Sequence, residues 1–205
     1  MTVKVIPMEP DEAKVELRAS IRRQRQQRAE RRLAEHATAL CERVLALDEI
    51  RNAKCVSVYA SRPHEPGTLP LIEALHKQGV RVLIPLLGDG LQRGWGVYGG
   101  AADLIERAPG RPPEPSTEFL PSDVLRDADV VIVPALAVDT SGTRLGQGGG
   151  WYDRALADVQ TGVPIIALTF AGEVRNAESE PLPREQHDVR VHGVITPEGY
   201  TPLPR

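Results

Sequence analysis

Three short runs, Val80–Pro85, Ala128–Pro134 and Val163–Thr169, are apolar almost without interruption. A strand with one face in water alternates polar and apolar residues, whereas a continuous apolar run needs cover on both faces. Such runs belong to sheets sandwiched between helices. Two flanking runs, Cys55–Ala60 and Val191–Ile195, add further strands. Helix-type segments fit between them: Leu69–Gln78, with Gly79 placed to end it, and Trp151–Val159. This strand–helix–strand rhythm favours parallel neighbours. The expected fold is α/β, a three-layer αβα single domain over residues 12–200 with a mainly parallel or mixed central sheet.

A long N-terminal helix is expected from Glu12 to about Asp48, where Leu33, Ala37, Leu40, Val44 and Leu47 recur at helical steps. Residues 1–11 read as a loose, flexible tail. Arginines crowd the helix from Arg18 to Arg32, either as a solvated face or as part of an anion site. Residues 86–127 break the rhythm with scattered glycines and the proline-rich stretch Pro109–Pro115. They are expected to form long excursions over a ligand cleft, with a short hairpin.

Bulk properties exclude several classes. A length of 205 residues suits one substantial core, and 41 % hydrophobic with 26 % charged residues is a globular balance, not a disordered one. The net charge of -3 implies no general attraction to nucleic acid. No run approaches the ~20 apolar residues of a membrane span. Cys41 and Cys55 lie in apolar surroundings and suggest neither a disulfide framework nor a zinc site. Pro7, Glu9 and Pro10 do not resemble a secretory leader, so a cytoplasmic location is expected; a monomer is expected besides.

The most informative segment is Gly142-Thr-Arg-Leu-Gly-Gln-Gly-Gly-Gly-Trp-Tyr-Asp-Arg154. It follows the strongest strand signal and opens a helix signal. Ligands of open α/β sheets sit beyond the carboxyl ends of strands. Glycines let the backbone approach phosphate oxygens, and Arg144 and Arg154 can add charge-assisted contacts. The segment is neither a Walker A loop nor a GxGxxG fingerprint, so the residues alone point to phosphate or nucleotide.

This segment closely resembles the GxRLGxGGGYYDR signature of the 5-formyltetrahydrofolate cyclo-ligase family, with Trp151 in place of the commoner Tyr. Lys14-xxx-Arg18, Tyr59-Ala-Ser-Arg-Pro-His-Glu65 with Thr68, Asp129–Pro134 followed by Ala135–Asp139, and Glu185-Gln-His187-Asp188 resemble other parts of the family, over roughly residues 12–198. The resemblance implies an enzyme, a ligase that uses ATP and Mg²⁺ to cyclise 5-formyltetrahydrofolate to 5,10-methenyltetrahydrofolate. The substrate is expected with or without a polyglutamate tail. The alternative is an ATP-binding paralogue with another small substrate or a regulatory role.

The same resemblance assigns roles. Lys14 and Arg18, one helical turn apart, would meet the ATP phosphates, with Arg144, Leu145, Gly146, Gln147, Gly148, Gly149, Gly150, Trp151, Tyr152 and Arg154 forming the nucleotide loop. Glu65, Arg144 and Lys14 are the expected catalytic residues. Glu65 would orient the folate, with Tyr59, Thr68 and Tyr152 nearby and Arg62 and His64 as weaker candidates. Trp95 and Tyr98 would either stack on the folate rings or cover the core edge. Asp139 is the first candidate for Mg²⁺ and Asp188 the second; Asp153 is third, unless it braces the loop. His187 is expected to be structural.

Overall fold

A computed structural model describes residues 10–88, 90, 92–185 and 188–204. The expected tail and His187 therefore lie largely or wholly outside the described residues. In chain order the helices are α1 (Pro10–Gln26), α2 (Glu30–Leu45), α3 (Asp48–Arg51), α4 (Leu69–Lys77) and α5 (Trp151–Ala155). The strands begin with β1 (Cys55–Ser57), β2 (Arg81–Leu87), β3 (Arg93–Val97), β4 (Leu104–Ile105), β5 (Glu114–Pro115) and β6 (Leu120–Pro121). They continue with β7 (Val130–Pro134), β8 (Ala137–Asp139), β9 (Arg144–Leu145), β10 (Ile165–Leu168), β11 (Val174–Arg175), β12 (Gly193–Thr196) and β13 (Gly199–Pro202).

The main sheet runs β13-β12-β10-β7-β1-β2-β3-β6. Its centre, from β12 to β2, is parallel, and antiparallel strands close both edges. The continuous apolar runs occupy the centre for the reason given above. In β7, Val130 and Ile132 point into the core under α2 and α4, while Val131 and Val133 point into the opposite core. β10 divides in the same way, with Ile166 and Leu168 on one side and Ile165 and Ala167 on the other. Each such side chain, fully buried, contributes ~1.5–3 kcal/mol. The second face is covered by short elements, α5 and 3₁₀ segments around Leu125 and Leu156, rather than long helices.

The expected single N-terminal helix is two helices. Ala29 is extended (φ -65°, ψ 142°) and starts α2, and α1 ends in two tight turns, Gln27 N–H to Gln24 O and Arg28 N–H to Arg25 O. The cause is tertiary. Ile21 and Leu17 of α1 pack on Leu136, Ala137 and Leu145, away from the main sheet. Leu40, Cys41 and Val44 of α2 pack on the main sheet itself. One straight rod cannot cover both surfaces.

The helix expected over Trp151–Val159 is shorter, with α5 giving way to a 3₁₀ turn at Leu156–Asp158. Gly79 does end the Leu69–Gln78 helix, at φ +78°. The hairpin expected within residues 86–127 draws one arm from the second expected strand: β2 pairs antiparallel with β3, and β4 and β5 form a separate two-stranded ribbon.

Candidate active site

In the parallel centre, β1 is flanked by β2 on one side and β7 on the other. The strand order reverses there, so the loops leaving the carboxyl ends of β1 and β7 diverge and leave a crevice. A cleft of about 400 Å³ occupies that position. Tyr59 and Ala60 after β1, Pro85–Leu87 of β2 and Pro134 of β7 form its floor. Gly146–Gly150 and the start of α5 form one wall.

The glycine segment does not leave β7 directly. A three-stranded sheet, β11-β8-β9, comes between. Its β8–β9 hairpin is held by Asp139: Oδ1 accepts from Ser141 N–H (2.9 Å), Ser141 Oγ (2.6 Å) and Thr143 N–H (3.1 Å). Oδ2 accepts from Leu182 N–H at 3.0 Å. Asp139 is buried and is absent from the cleft lining. The Mg²⁺ role expected for it is corrected: its carboxylate is the knot of a turn. Asp188 and Asp153 do line the cleft.

Past β9 the chain turns through Gly148 (φ +98°) and Gly150 (φ +58°), conformations that a Cβ would strain. α5 has only five residues, so positive charge near the loop comes from side chains rather than from a long helix dipole. α1 supplies it. Lys14, Arg18 and Arg22 stand at successive four-residue steps. Arg18 Nε donates to Gly146 O (3.0 Å), and Arg22 Nη2 donates to Gln147 O (2.8 Å). Lys14 Nζ bonds Glu185 Oε1 (2.6 Å) and Asp188 Oδ2 (3.2 Å). Burial pulls the Lys14 pKa down, but the hydrogen bonds and charges of those two carboxylates outweigh it, and the net direction is up.

Arg144 is buried, pairs through Nη2 with Asp153 Oδ1 (2.7 Å), and stands 5.8 Å from the centre of the Tyr152 ring. Its Nε and the Tyr152 hydroxyl are buried with no hydrogen-bond partner among the described residues. Burial, aided by the charge of Glu65, pushes the Tyr152 hydroxyl far above its ordinary pKa, so it is a neutral donor near pH 7. Arg154 is exposed, donates to Gly149 O (3.2 Å) from behind the loop and does not line the cleft.

Glu65 faces the loop across the cleft, its Oε1 accepting from Gln147 Nε2 at 2.7 Å. The segment that carries it is tied down at both ends. Tyr59 Oη donates to Pro66 O (2.7 Å), Thr68 Oγ1 donates to Tyr59 O (2.6 Å), and Ser61 N–H donates to Thr68 Oγ1 (3.1 Å). His64 takes φ +66°, a strained conformation for a residue with a Cβ.

Three residues expected to contact the folate do not line the cleft. Thr68 is fully buried and spends its hydroxyl on the loop bonds just described. Trp95 is buried one layer behind the wall, packed edge-on against Trp151 at 5.0 Å. Tyr98 is buried against His76 at 5.2 Å. β3 is paired to the outer side of β2, which sets both aromatics into the core edge rather than over the ligand space. Tyr59, Glu65, Arg62, Trp151 and Tyr152 do reach the lining.

The structure adds residues that the sequence left unassigned. Glu185 lines the cleft and pairs with Lys14. Arg22 continues the Lys14–Arg18 step and could have been read from that spacing. Pro112, Pro113 and Glu114 also line the cleft, as expected of the proline-rich excursion over it, although no role is assigned to them singly.

Known proteins give an independent view. A model of the 5-formyltetrahydrofolate cyclo-ligase family matches residues 10–197. A 5-formyltetrahydrofolate cyclo-ligase of Mycolicibacterium smegmatis is 37 % identical over 152 residues, covering 71 % of this chain and 75 % of that one. One from Escherichia coli is 32 % identical over 160 residues, covering 76 % and 84 %. The solution structure of an Aquifex aeolicus 5,10-methenyltetrahydrofolate synthetase superposes with a TM-score of 0.77 at 26 % identity, covering 94 % of this chain and 93 % of that one.

Proposed function

The chain belongs to the 5-formyltetrahydrofolate cyclo-ligase family, and we propose that its cleft carries out the ATP-dependent closure of 5-formyltetrahydrofolate to 5,10-methenyltetrahydrofolate. The observation that carries this reading is the approach of Glu65 to the glycine segment, 2.7 Å to Gln147. It brings the carboxylate expected to orient the folate against the loop expected to hold the nucleotide. A paralogue lacking the folate half would have no need of that approach.

The formyl oxygen on N5 is a poor leaving group. Its attack on the γ-phosphorus of ATP releases ADP and forms an N5-iminium phosphate ester. N10 then attacks the formyl carbon, its proton is lost, and inorganic phosphate departs with the C–O bond. The protein has to align two ligands and stabilise phosphoryl charge. In this reading Lys14, Arg18 and Arg144 meet the phosphates, and Gly146–Gly150 bring the backbone close to them. Arg144 offers its unpartnered Nε, and Tyr152 offers a neutral hydroxyl. Glu65 accepts from N–H groups of the folate, and Tyr59, Leu86, Pro112 and Pro113 supply an apolar surface for its rings.

A nucleotide-bound Mg²⁺ fits the donor set. Asp188 and Asp153 are hard oxygen ligands on the cleft wall beside the cations, and Mg²⁺ needs only one or two carboxylates besides phosphate oxygens and water. When bound, the ion supplies further neutralisation of phosphoryl charge. Lys14 and Arg144 hold these two carboxylates in place. No helix among the described residues is long and apolar enough to cross a membrane, and a monomeric enzyme of the cytoplasm is the proposed setting.

The test is an absorbance assay for the methenyl chromophore with purified protein, 5-formyltetrahydrofolate, Mg²⁺ and ATP. Product that requires ATP, and that is lost in a folded Glu65→Gln variant, is the expected outcome. A folded protein that binds ATP but forms no product overturns the reading.

A further inference from the structure

Within Gly146-Gln-Gly-Gly-Gly150, only position 147 carries a side chain. That side chain crosses the cleft. Gln147 Oε1 accepts from Arg22 Nε (3.2 Å) and Nη2 (3.0 Å), while Nε2 donates to Glu65 Oε1 (2.7 Å). The direction of the amide follows from chemistry: arginine only donates and an ionised carboxylate only accepts, so the oxygen faces Arg22 and the nitrogen faces Glu65. The second oxygen of Glu65 accepts from the Arg62 N–H at 2.9 Å. With one bond to each oxygen, the carboxylate plane is fixed. The remaining lone pairs stay available to a ligand.

We infer that Gln147 is a positioning residue: it sets Glu65 for the folate and couples the nucleotide loop to the folate half of the cleft. The inference rests on the proposed reading of Glu65 and the glycine segment. The coupling follows from where Gln147 is anchored. It belongs to the loop that would wrap the phosphates, next to Gly148 in a left-handed conformation. Ordering that loop by a nucleotide restricts the motion of Gln147 further, and through the 2.7 Å bond restricts that of Glu65 further. A bound folate that holds Glu65 fixes Gln147 and the loop in return, because coupling between two binding sites is reciprocal. Arg22 contributes from the third element by holding the amide and the loop carbonyl together.

Calorimetric binding of 5-formyltetrahydrofolate, with and without a non-hydrolysable ATP analogue, tests this in wild type, Gln147→Ala, Glu65→Gln and the double variant. In wild type the analogue should tighten folate binding at least about fivefold. Gln147→Ala should abolish that tightening and weaken folate binding, yet add nothing in the Glu65→Gln background. Affinity for the analogue alone is measured in each variant, so that the coupling is read as the ratio of folate affinities with and without saturating analogue. Gln147→Glu sets a like charge against Glu65 and should weaken folate binding more than Gln147→Ala does. The inference is overturned if Gln147→Ala keeps the coupling, tightens folate binding, or weakens it equally in both backgrounds. Equal unfolding midpoints across the set remove misfolding as the cause. A wild-type protein that binds the analogue but no folate overturns the folate reading itself, and this inference with it.

Discussion

The two ends of α1 carry the same kind of interaction to opposite purposes. At one end Lys14, itself 7 % exposed, meets Glu185 and Asp188 on the cleft wall, whose side chains are 41 % and 14 % exposed. At the other, Arg25 and Glu173 are 3 % and 2 % exposed. Glu173 accepts from Arg25 Nε and Nη2 (2.9 and 2.7 Å), Arg28 Nη1 (3.3 Å), Thr169 Oγ1 (2.6 Å) and Phe170 N–H (3.0 Å). Arg25 Nη2 also reaches Ala135 O at 2.6 Å. A buried pair so fully bonded has no capacity left for a ligand. A pair at a cleft mouth can exchange partners, since phosphate can replace a carboxylate on Lys14. The buried pair anchors the helix, and in the proposed reading Lys14 meets phosphate from that anchor.

The largest expected effect tests the anchor. Glu173→Ala leaves the Arg25 guanidinium buried without its counter-charge and should cost ~3–5 kcal/mol of unfolding free energy. Urea denaturation measures it, and a loss below ~1 kcal/mol would erase the distinction between the two ends. Lys14→Met should act the other way round. Its stability change should stay within ~1 kcal/mol, while the KM for ATP rises roughly ten- to a hundredfold, as expected for removal of a charge-assisted phosphate contact. Initial-rate kinetics at saturating folate decide this, and an unchanged KM would make Lys14 a structural residue.

Arg28 lies between these extremes. It is 23 % exposed and stands 4.0 Å over the Phe170 ring. Arg28→Ala should cost ~1 kcal/mol with no change in either KM. The smallest effect is alkaline. The Lys14 pKa is raised in the folded state, so its contribution to stability is complete below the unfolded value of 10.5 and is lost as pH rises through the folded value. Unfolding midpoints measured on either side of pH 10.5 should therefore fall less in Lys14→Met than in wild type. Equal slopes would mean that the pair with Glu185 and Asp188 does not hold the proton.

α1 also shows how far a sequence can be read. The four-residue steps Leu17, Ile21, Arg25, Ala29, Leu33 and Ala37 pass through the helix break without losing phase. A helical pattern from Glu12 to about Asp48 therefore predicts one helix over a segment that holds a break. The break exists because two sheets need covering, which no local window records. Arg25 looked like one more member of an arginine-rich face, and only the fold brings Glu173 to it across 148 residues.

The layering of the sheet and the glycine-rich turn are legible in the chain alone. Apolar runs without alternation demand cover on both faces wherever they lie, and a run of glycines with arginines nearby raises the expectation of an anion. Those properties are local, and the chain states them directly. Which of several similar acids and aromatics face the ligand space is set by the fold. Asp139 and Asp188 are both aspartates in suggestive motifs, but one is enclosed by four donors and the other lines the cleft. Trp95 and Trp151 are the same residue, but the pairing of β3 outside β2 buries the first behind the second. Burial and hydrogen-bond satisfaction depend on contacts between distant segments, so they are settled only when the whole chain has folded.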